Sequence, residues 1–199
     1  MSFDINQFLD GIKDPNNIDR TMKFIKGIQS PIITVEKYLK LYAAKGNAFA
    51  QFRLGSKYYI GDEVEKNYTK AYFYYQQAAC QGNIIAQLNV GVMYERGQGV
   101  EQSYSKALKY YQQAAEQGNL TAQYNLGLMY EKGRGVEQSY PVALKYFQQA
   151  ADQGFSYAQY SLGLMYHNGQ GIEQSYSEAL KYFQQAANQG YSDAQFSLG

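Results

Sequence analysis

A glycine recurs every 36 residues through this chain of 199, at Gly46, Gly82, Gly118, Gly154 and Gly190. The stretches between these glycines align without gaps. A fixed internal period of about 20–50 residues marks an architecture of stacked repeats. One unit runs Gly118-Asn-Leu-Thr-Ala-Gln-Tyr-Asn-Leu-Gly-Leu-Met-Tyr130, continues through Gly133-Arg-Gly-Val-Glu-Gln-Ser-Tyr140 and closes on Ala143-Leu-Lys-Tyr-Phe-Gln-Gln-Ala-Ala151. A single unit of this length cannot bury both faces of its own elements, so the copies have to cover one another.

Each unit reads as two helices. In the first, Ala122, Leu126 and Tyr130 recur at a spacing of four, an apolar stripe on one helical face. Gly127 interrupts that helix at a cost of about 1 kcal/mol relative to Ala, and the close approach of a neighbouring helix is the reason to expect it there. Gly133 follows the last periodic residue and can take the left-handed conformation that ends a helix. Gly135 turns the loop again. Ser139 is expected to cap the second helix, as Ser103, Ser175 and Asn67 do in their copies. Ser175 with Glu178 has the spacing of a capping box. Pro141 falls in the first turn, where its missing N–H costs little. Ala143, Tyr146, Phe147, Ala150 and Ala151 form the apolar face of the second helix, and Gly154 stops it.

The expected architecture is all-α: a right-handed α-solenoid of antiparallel helix pairs with repeats over 46–81, 82–117, 118–153 and 154–189 and a half-repeat over 190–199. The copy from Gly46 is looser, with Gly61-Asp-Glu-Val in place of Gly-x-Gly-Val. Residues 1–45 read as a helical cap with a degenerate half-repeat. Ser30-Pro31 starts its last helix. Before it come two short helices split near Asp14-Pro15, one with Ile5, Phe8, Leu9 and Ile12 on a face, the other with Ile18, Met22, Phe24 and Ile25. The chain stops at Leu198-Gly199, halfway through a first helix. A solenoid normally ends in a polar cap, so a longer natural chain is expected.

Charge and composition remove several functions. Charged residues are 18 % and the net charge is +1, which gives no long-range attraction to nucleic acid or an anionic membrane. The alternative of an RNA-binding helical-repeat protein needs a basic surface and is disfavoured. No apolar run approaches the ~18 residues of a membrane span, and the start lacks a conventional signal peptide. The expected location is cytoplasmic, or exported without such a signal. Cys80 is the one cysteine, so no disulfide framework forms. It lies at a helix end, where the dipole disfavours a thiolate. His167 is the only histidine. No His-pair metal site or catalytic triad is evident, and no catalytic residue, metal or cofactor is expected. Gly97-Gln-Gly99 and its copies follow a helix instead of a strand and lack the third glycine of a phosphate loop. Glu101, Glu137 and Glu173 read as solvated loop tips. The Gln-Gln pairs at 76–77, 112–113, 148–149 and 184–185 read as a solvated outer face.

The pattern Ala-Gln-x-x-Leu-Gly-x-Met-Tyr-x-x-Gly-x-Gly-Val over 122–136, followed by Tyr140, Ala143, Tyr146 and Ala150-Ala151, resembles the Sel1-like repeat. That family is a relative of the tetratricopeptide repeats with a longer loop in each unit. The resemblance covers roughly residues 46–199. Ser stands where Asp is common before the loop tyrosine, and Tyr or Phe where Trp is frequent. The resemblance implies an adaptor, scaffold or regulator, of the kind found in host-interacting or enzyme-regulating bacterial proteins. The implied partner is another protein, as an amphipathic helix, an extended segment or a folded enzyme, and the chain is expected to be monomeric alone. Secreted relatives that bind β-lactam-like ligands need a cysteine pair per repeat, which Cys80 alone does not supply.

In such stacks the first helices line a concave trough. Carried over by alignment, this selects Thr121, Tyr124, Leu128, Glu131 and Lys132. One unit earlier it selects Ile85, Leu88, Val92, Glu95 and Arg96; one unit later, Tyr157, Tyr160, Leu164, His167 and Asn168. The looser copy contributes Phe49, Phe52, Ser56 and Tyr59, and the half-repeat contributes Asp193 and Phe196. These positions vary between otherwise near-identical copies, as a recognition surface does. Tyr124, Tyr160 and Phe196 admit a second reading as core between the two helices. The apolar floor of Val92, Leu128 and Leu164 lacks the cations that would clamp a chain-terminal carboxylate, so an amphipathic helix or an extended segment with apolar anchors fits better.

Overall fold

The computed structural model describes Met22 and residues 35–198. Among the described residues there are ten complete helices and no strand: α1 (Val35–Ala44), α2 (Ala48–Ile60), α3 (Tyr68–Cys80), α4 (Ile84–Arg96), α5 (Tyr104–Glu116), α6 (Leu120–Lys132), α7 (Tyr140–Ala151), α8 (Ser156–Asn168), α9 (Tyr176–Asn188) and α10 (Ser192–Leu198). The expected cap helices before residue 35, and the start at Ser30-Pro31, lie outside the described residues; Met22 alone is described there, helical and buried. The chain divides into two compact units, Met1–Ala86 and Gln87–Gly199.

The same local chemistry builds each helix pair. Three first helices start on an asparagine: Asn47, Asn83 and Asn119 each accept a 2.9 Å hydrogen bond from the backbone N–H three residues on, which satisfies one of the donors a helix start leaves open. Gly61, Gly133 and Gly169 then end their helices with φ of +87°, +64° and +68°, each N–H donating to the carbonyl four residues back. A loop glutamine ties down the same end: Gln102, Gln138 and Gln174 donate at 2.7 Å to the carbonyls of Glu95, Glu131 and His167. The second helices are capped by Asn67 at 2.9 Å, and by Ser103 and Ser175 at 3.4 Å.

Two capping expectations need correction. Ser139 occupies the cap position but makes no side-chain cap bond; Pro141, in the first turn, brings a preset φ that suits a helix start. Only half of the capping box forms at Ser175. Its backbone N–H donates to the carbonyl of Tyr166 at 3.0 Å, and the Glu178 carboxylate accepts from Lys181 at 3.2 Å.

In Met1–Ala86, the mid-helix Gly55 lets α3 come so close that an added Cβ would lie 2.5 Å from the Tyr75 ring. Tyr58 stacks on Tyr74 at 5.9 Å and donates to Glu36 at 3.2 Å; Lys40 also pairs with Glu36 at 2.6 Å. Glu63 stands where later copies have their second loop glycine and holds φ +58°, a conformation uncommon outside glycine. Lys57, only 6 % exposed, bridges Asp62 at 3.2 Å and Glu63 at 2.9 Å across that turn.

In Gln87–Gly199 the arrangement repeats. An added Cβ at Gly91, Gly127 or Gly163 would lie 2.6, 2.4 or 2.5 Å from the rings of Tyr111, Phe147 and Phe183, which answers why each first helix carries a glycine. Tyr94–Tyr110, Tyr130–Tyr146 and Tyr166–Tyr182 stack at 5.8, 5.7 and 5.6 Å. A core cluster of Ala143, Phe147, Ala150, Ala151, Ala158, Leu162, Met165 and Tyr182 joins one repeat to the next. Gly135 fits because any side chain there would strike the backbone of Tyr104 at 2.6 Å.

A glutamine clasp recurs in both units. Gln51, Gln123 and Gln159 are buried and donate to the carbonyls of Ala43, Ala115 and Ala151, at 3.2, 3.5 and 3.3 Å. Each accepts from the glutamine thirty residues on: Gln81 at 2.7 Å, Gln153 at 3.4 Å and Gln189 at 2.7 Å. A buried amide with both ends engaged holds helix order without the desolvation penalty of an open one. The Gln-Gln pairs are less uniform than a solvated face implies. Gln148 exchanges hydrogen bonds with the Tyr182 hydroxyl at 3.1 and 3.2 Å.

Candidate partner-binding face

In Met1–Ala86, Phe49, Phe52, Ser56 and Tyr59 are half-buried on α2 and Ile85 is exposed near the start of α4. Phe52 packs against Tyr75 at 5.9 Å, and Tyr59 lies between Tyr68 and Tyr75 at 5.3 and 6.3 Å. Arg53 sits over the Phe49 ring at 6.0 Å.

In Gln87–Gly199, none of the selected positions is fully buried. Leu88, Val92, Glu95, Tyr124, Leu128, Glu131 and Tyr160 are half-buried; Arg96, Thr121, Lys132, Tyr157, Leu164, His167, Asn168, Asp193 and Phe196 are exposed. Both readings of Tyr124 and Tyr160 hold in part. One edge of each ring packs on the second helix of its own repeat, Tyr124 on Phe147 at 5.6 Å and Tyr160 on Phe183 at 5.5 Å, and each residue stays partly exposed. Phe196 is 89 % exposed and is not core among the described residues. His167 turns toward its loop, against Tyr176 at 5.4 Å and Asn168 at 3.0 Å.

The structure brings Tyr124, Tyr157 and Tyr160 together through two residues the sequence reading did not single out, Phe155 and Tyr191. Tyr124 meets Phe155 at 5.6 Å and Tyr157 at 6.0 Å; Phe155 meets Tyr157 at 5.4 Å; Tyr191 meets Tyr157 at 4.9 Å and Tyr160 at 5.1 Å. The result is a connected ribbon of rings spanning α6, α8 and the start of α10. Phe155 and Tyr191 stand where Asn47, Asn83 and Asn119 cap the earlier first helices. Phe155 makes no side-chain cap bond. The signal was present as a mismatch between aligned copies: an amide that starts a helix gives way to a ring.

Electrostatics distinguish two copies of one position. Glu95 on α4 accepts from the Tyr111 hydroxyl at 2.7 Å and from Arg134 at 3.5 Å. Burial, with Glu95 adding to it, raises the Tyr111 phenol well above its ordinary range. Glu131 is the same residue one repeat on. Its aligned partners are Phe147, which has no hydroxyl, and Gln170, which has no charge. Among the described residues no hydrogen bond or ion pair reaches its side chain. Burial raises the Glu131 carboxyl above the usual carboxylate range, with Lys132 opposing. Burial also raises Tyr124. Tyr191 is pushed up to about 12 by burial and then by the adjoining Asp193 carboxylate, to which it donates at 3.3 Å.

Among the described residues no group of three or more His, Cys, Asp and Glu side chains is placed to hold a metal ion, and no helix is long and apolar enough to cross a membrane. Cys80 is exposed and unpaired.

A family model described as Sel1 repeat matches residues 48–83, 84–119, 120–155 and 156–191. Among solved structures, a Sel1 repeat protein from Oxalobacter formigenes is 31 % identical with a TM-score of 0.77, over 92 % of this chain and 72 % of that one. A protective antigen of uropathogenic Escherichia coli strains, described as displaying an SLR fold, is 35 % identical with a TM-score of 0.78 over 82 % of this chain. The match takes in 35 % of the antigen, so this chain spans about a third of its length. An immunity protein from Pseudomonas aeruginosa is 25 % identical with a TM-score of 0.56, over 91 % of this chain and 69 % of that one. No curated protein matches the sequence significantly.

Proposed function

This chain belongs to the Sel1 repeat family, whose members are generally non-catalytic scaffolds for protein interaction, and on that premise we propose that it holds a partner protein in a trough lined by its first helices. The observation that carries the proposal is the half-open ribbon of rings from Tyr124 through Phe155 and Tyr157 to Tyr191 and Tyr160. Rings on a rigid frame offer a large apolar contact area at little cost in side-chain freedom. A contiguous open apolar patch of this kind usually marks an interaction site. Leu88, Val92, Leu128 and Leu164 extend the floor, and Glu95, Arg96, Glu131, Lys132, His167 and Asn168 form the polar rim.

An amphipathic helix or an extended segment with apolar anchors suits such a floor. A folded enzyme covered by the chain is the regulatory form of the same reading. The test is capture of partners by the intact chain beside a Leu128→Glu/Leu164→Glu variant, with circular dichroism on both. The expected result is a partner held by the first and lost by the second, at unchanged helical content. A partner held equally by both would move binding to the second helices, the loops or the cap.

A further inference from the structure

Glu131 is out of keeping with the surface around it. A half-buried carboxylate has lost much of its hydration, and such a group ordinarily recovers that loss through a cation or several donors. Glu95 does so, through Tyr111 and Arg134. At Glu131 both of those partners have been replaced, by Phe147 and Gln170, while the carboxylate itself is kept. The backbone carbonyl of Glu131 is engaged by Gln138 at 2.7 Å; its side chain is engaged by none of the described residues. The neighbouring cation is Lys132, exposed and next in the chain, and its pull on Glu131 is outweighed by burial.

The position matters as much as the charge. Tyr124, Leu128 and Glu131 follow one another at i, i+4 and i+7 on α6, one stripe of a helix with its two ends about 10 Å apart. The stripe runs from the aromatic ribbon to the carboxylate. Its apolar end is joined to Phe155 and Tyr157, and Leu128 lies at the edge of the core cluster, packed but not covered.

We propose that this stripe receives a segment of the partner that carries a lysine or arginine, with the cation on the Glu131 carboxylate and an adjoining large apolar side chain on Tyr124 and Leu128. The inference rests on the first-helix face being the binding face. Charge complementarity selects this occupant. A neutral segment would leave Glu131 desolvated and unpaired, and an acidic one would add repulsion to that. A cation completes the position as Arg134 completes Glu95, with a charge-assisted hydrogen bond. The aromatic floor beside it also suits the stem of a lysine or the plane of an arginine.

The test is selection of twelve-residue random peptides on the full chain, followed by synthesis of the enriched sequence and measurement of its affinity. The expected sequences share a Lys or Arg next to a large apolar residue. Replacing that cation by citrulline or norleucine should weaken binding about tenfold. Glu131→Gln should weaken the parent peptide by a similar factor and be indifferent to the replacement. Glu95→Gln, which removes a carboxylate already engaged, should leave the preference intact, and thermal melts of both variants report whether the fold survives. Peptides lost by Leu164→Glu but indifferent to Glu131→Gln would overturn the cation anchor and leave the binding face standing. Peptides indifferent to both would overturn the face as well. Enrichment of acidic or uncharged sequences, or of none, would also overturn the anchor.

Discussion

Helices α4 and α6 are built to one plan and finished differently. Both carry a glycine under the ring of the following helix, Gly91 under Tyr111 and Gly127 under Phe147. Both carry, one residue before their end, a glutamate whose carbonyl is tied down by a loop glutamine at 2.7 Å. The frame is the same, yet the Glu95 side chain is closed off by Tyr111 and Arg134 while that of Glu131 is left open. The start of the next first helix, α8, departs from theirs in the same sense. Asn83 and Asn119 cap α4 and α6, whereas α8 starts at Phe155, which spends its side chain on the aromatic ribbon. Selection for stability alone favours the satisfied version of each position. Keeping the unsatisfied version in the later repeats is the pattern of a surface reserved for something else.

The comparison can be broken first at its shared part. Gly91→Ala and Gly127→Ala each push a methyl group into a buried ring, and each should lose about 1–3 kcal/mol by urea denaturation; a loss in one alone would show that the frames are not equivalent. Exchanging the rings comes next. Tyr111→Phe should cost about 1–2 kcal/mol, because it takes the shorter of its two hydrogen bonds from Glu95 and leaves Arg134 alone. Phe147→Tyr should gain about 0.5–1 kcal/mol by giving Glu131 the hydroxyl it lacks, and should weaken partner binding. Gln170→Arg supplies the other missing partner at a more exposed site, so its stabilisation should stay under about 1 kcal/mol and fade with added salt.

The smallest effect is the pH dependence. The native Glu131 carboxyl is held above its unfolded value, so the native state binds the proton more tightly. Stability from this group therefore rises as pH falls from the raised native value to the ordinary carboxylate value, and levels off below it. The difference between the parent and Glu131→Gln should show that slope. A flat difference would remove burial as the state of Glu131.

The repeat, the helix pairs and the reason for the mid-helix glycines were legible because all three rest on spacing within one unit. The trough positions followed from the alignment of the copies. What was hidden depends on residues that meet only after folding. The Gln123 clasp needs a carbonyl eight residues back and an amide thirty residues on, and a lone glutamine in a helix reads as solvent-facing. The isolation of Glu131 becomes visible only through Glu95, whose partners lie 16 and 39 residues further along the chain. At Ser139 the cap position was legible, but the absence of its side-chain bond was not. Phe155 and Tyr191 could have been found, since both break the asparagine pattern of the earlier copies.

The most direct measurement places a photo-crosslinking benzoylphenylalanine at Tyr157 or at Leu180. Both are exposed apolar residues of one repeat, 48 % and 57 % open, but Tyr157 is on the first helix α8 and Leu180 on the second helix α9. Illumination with the partner bound should yield an adduct from position 157 and none from 180. Adducts from 180 alone would place the partner on the second helices and contradict the first-helix face.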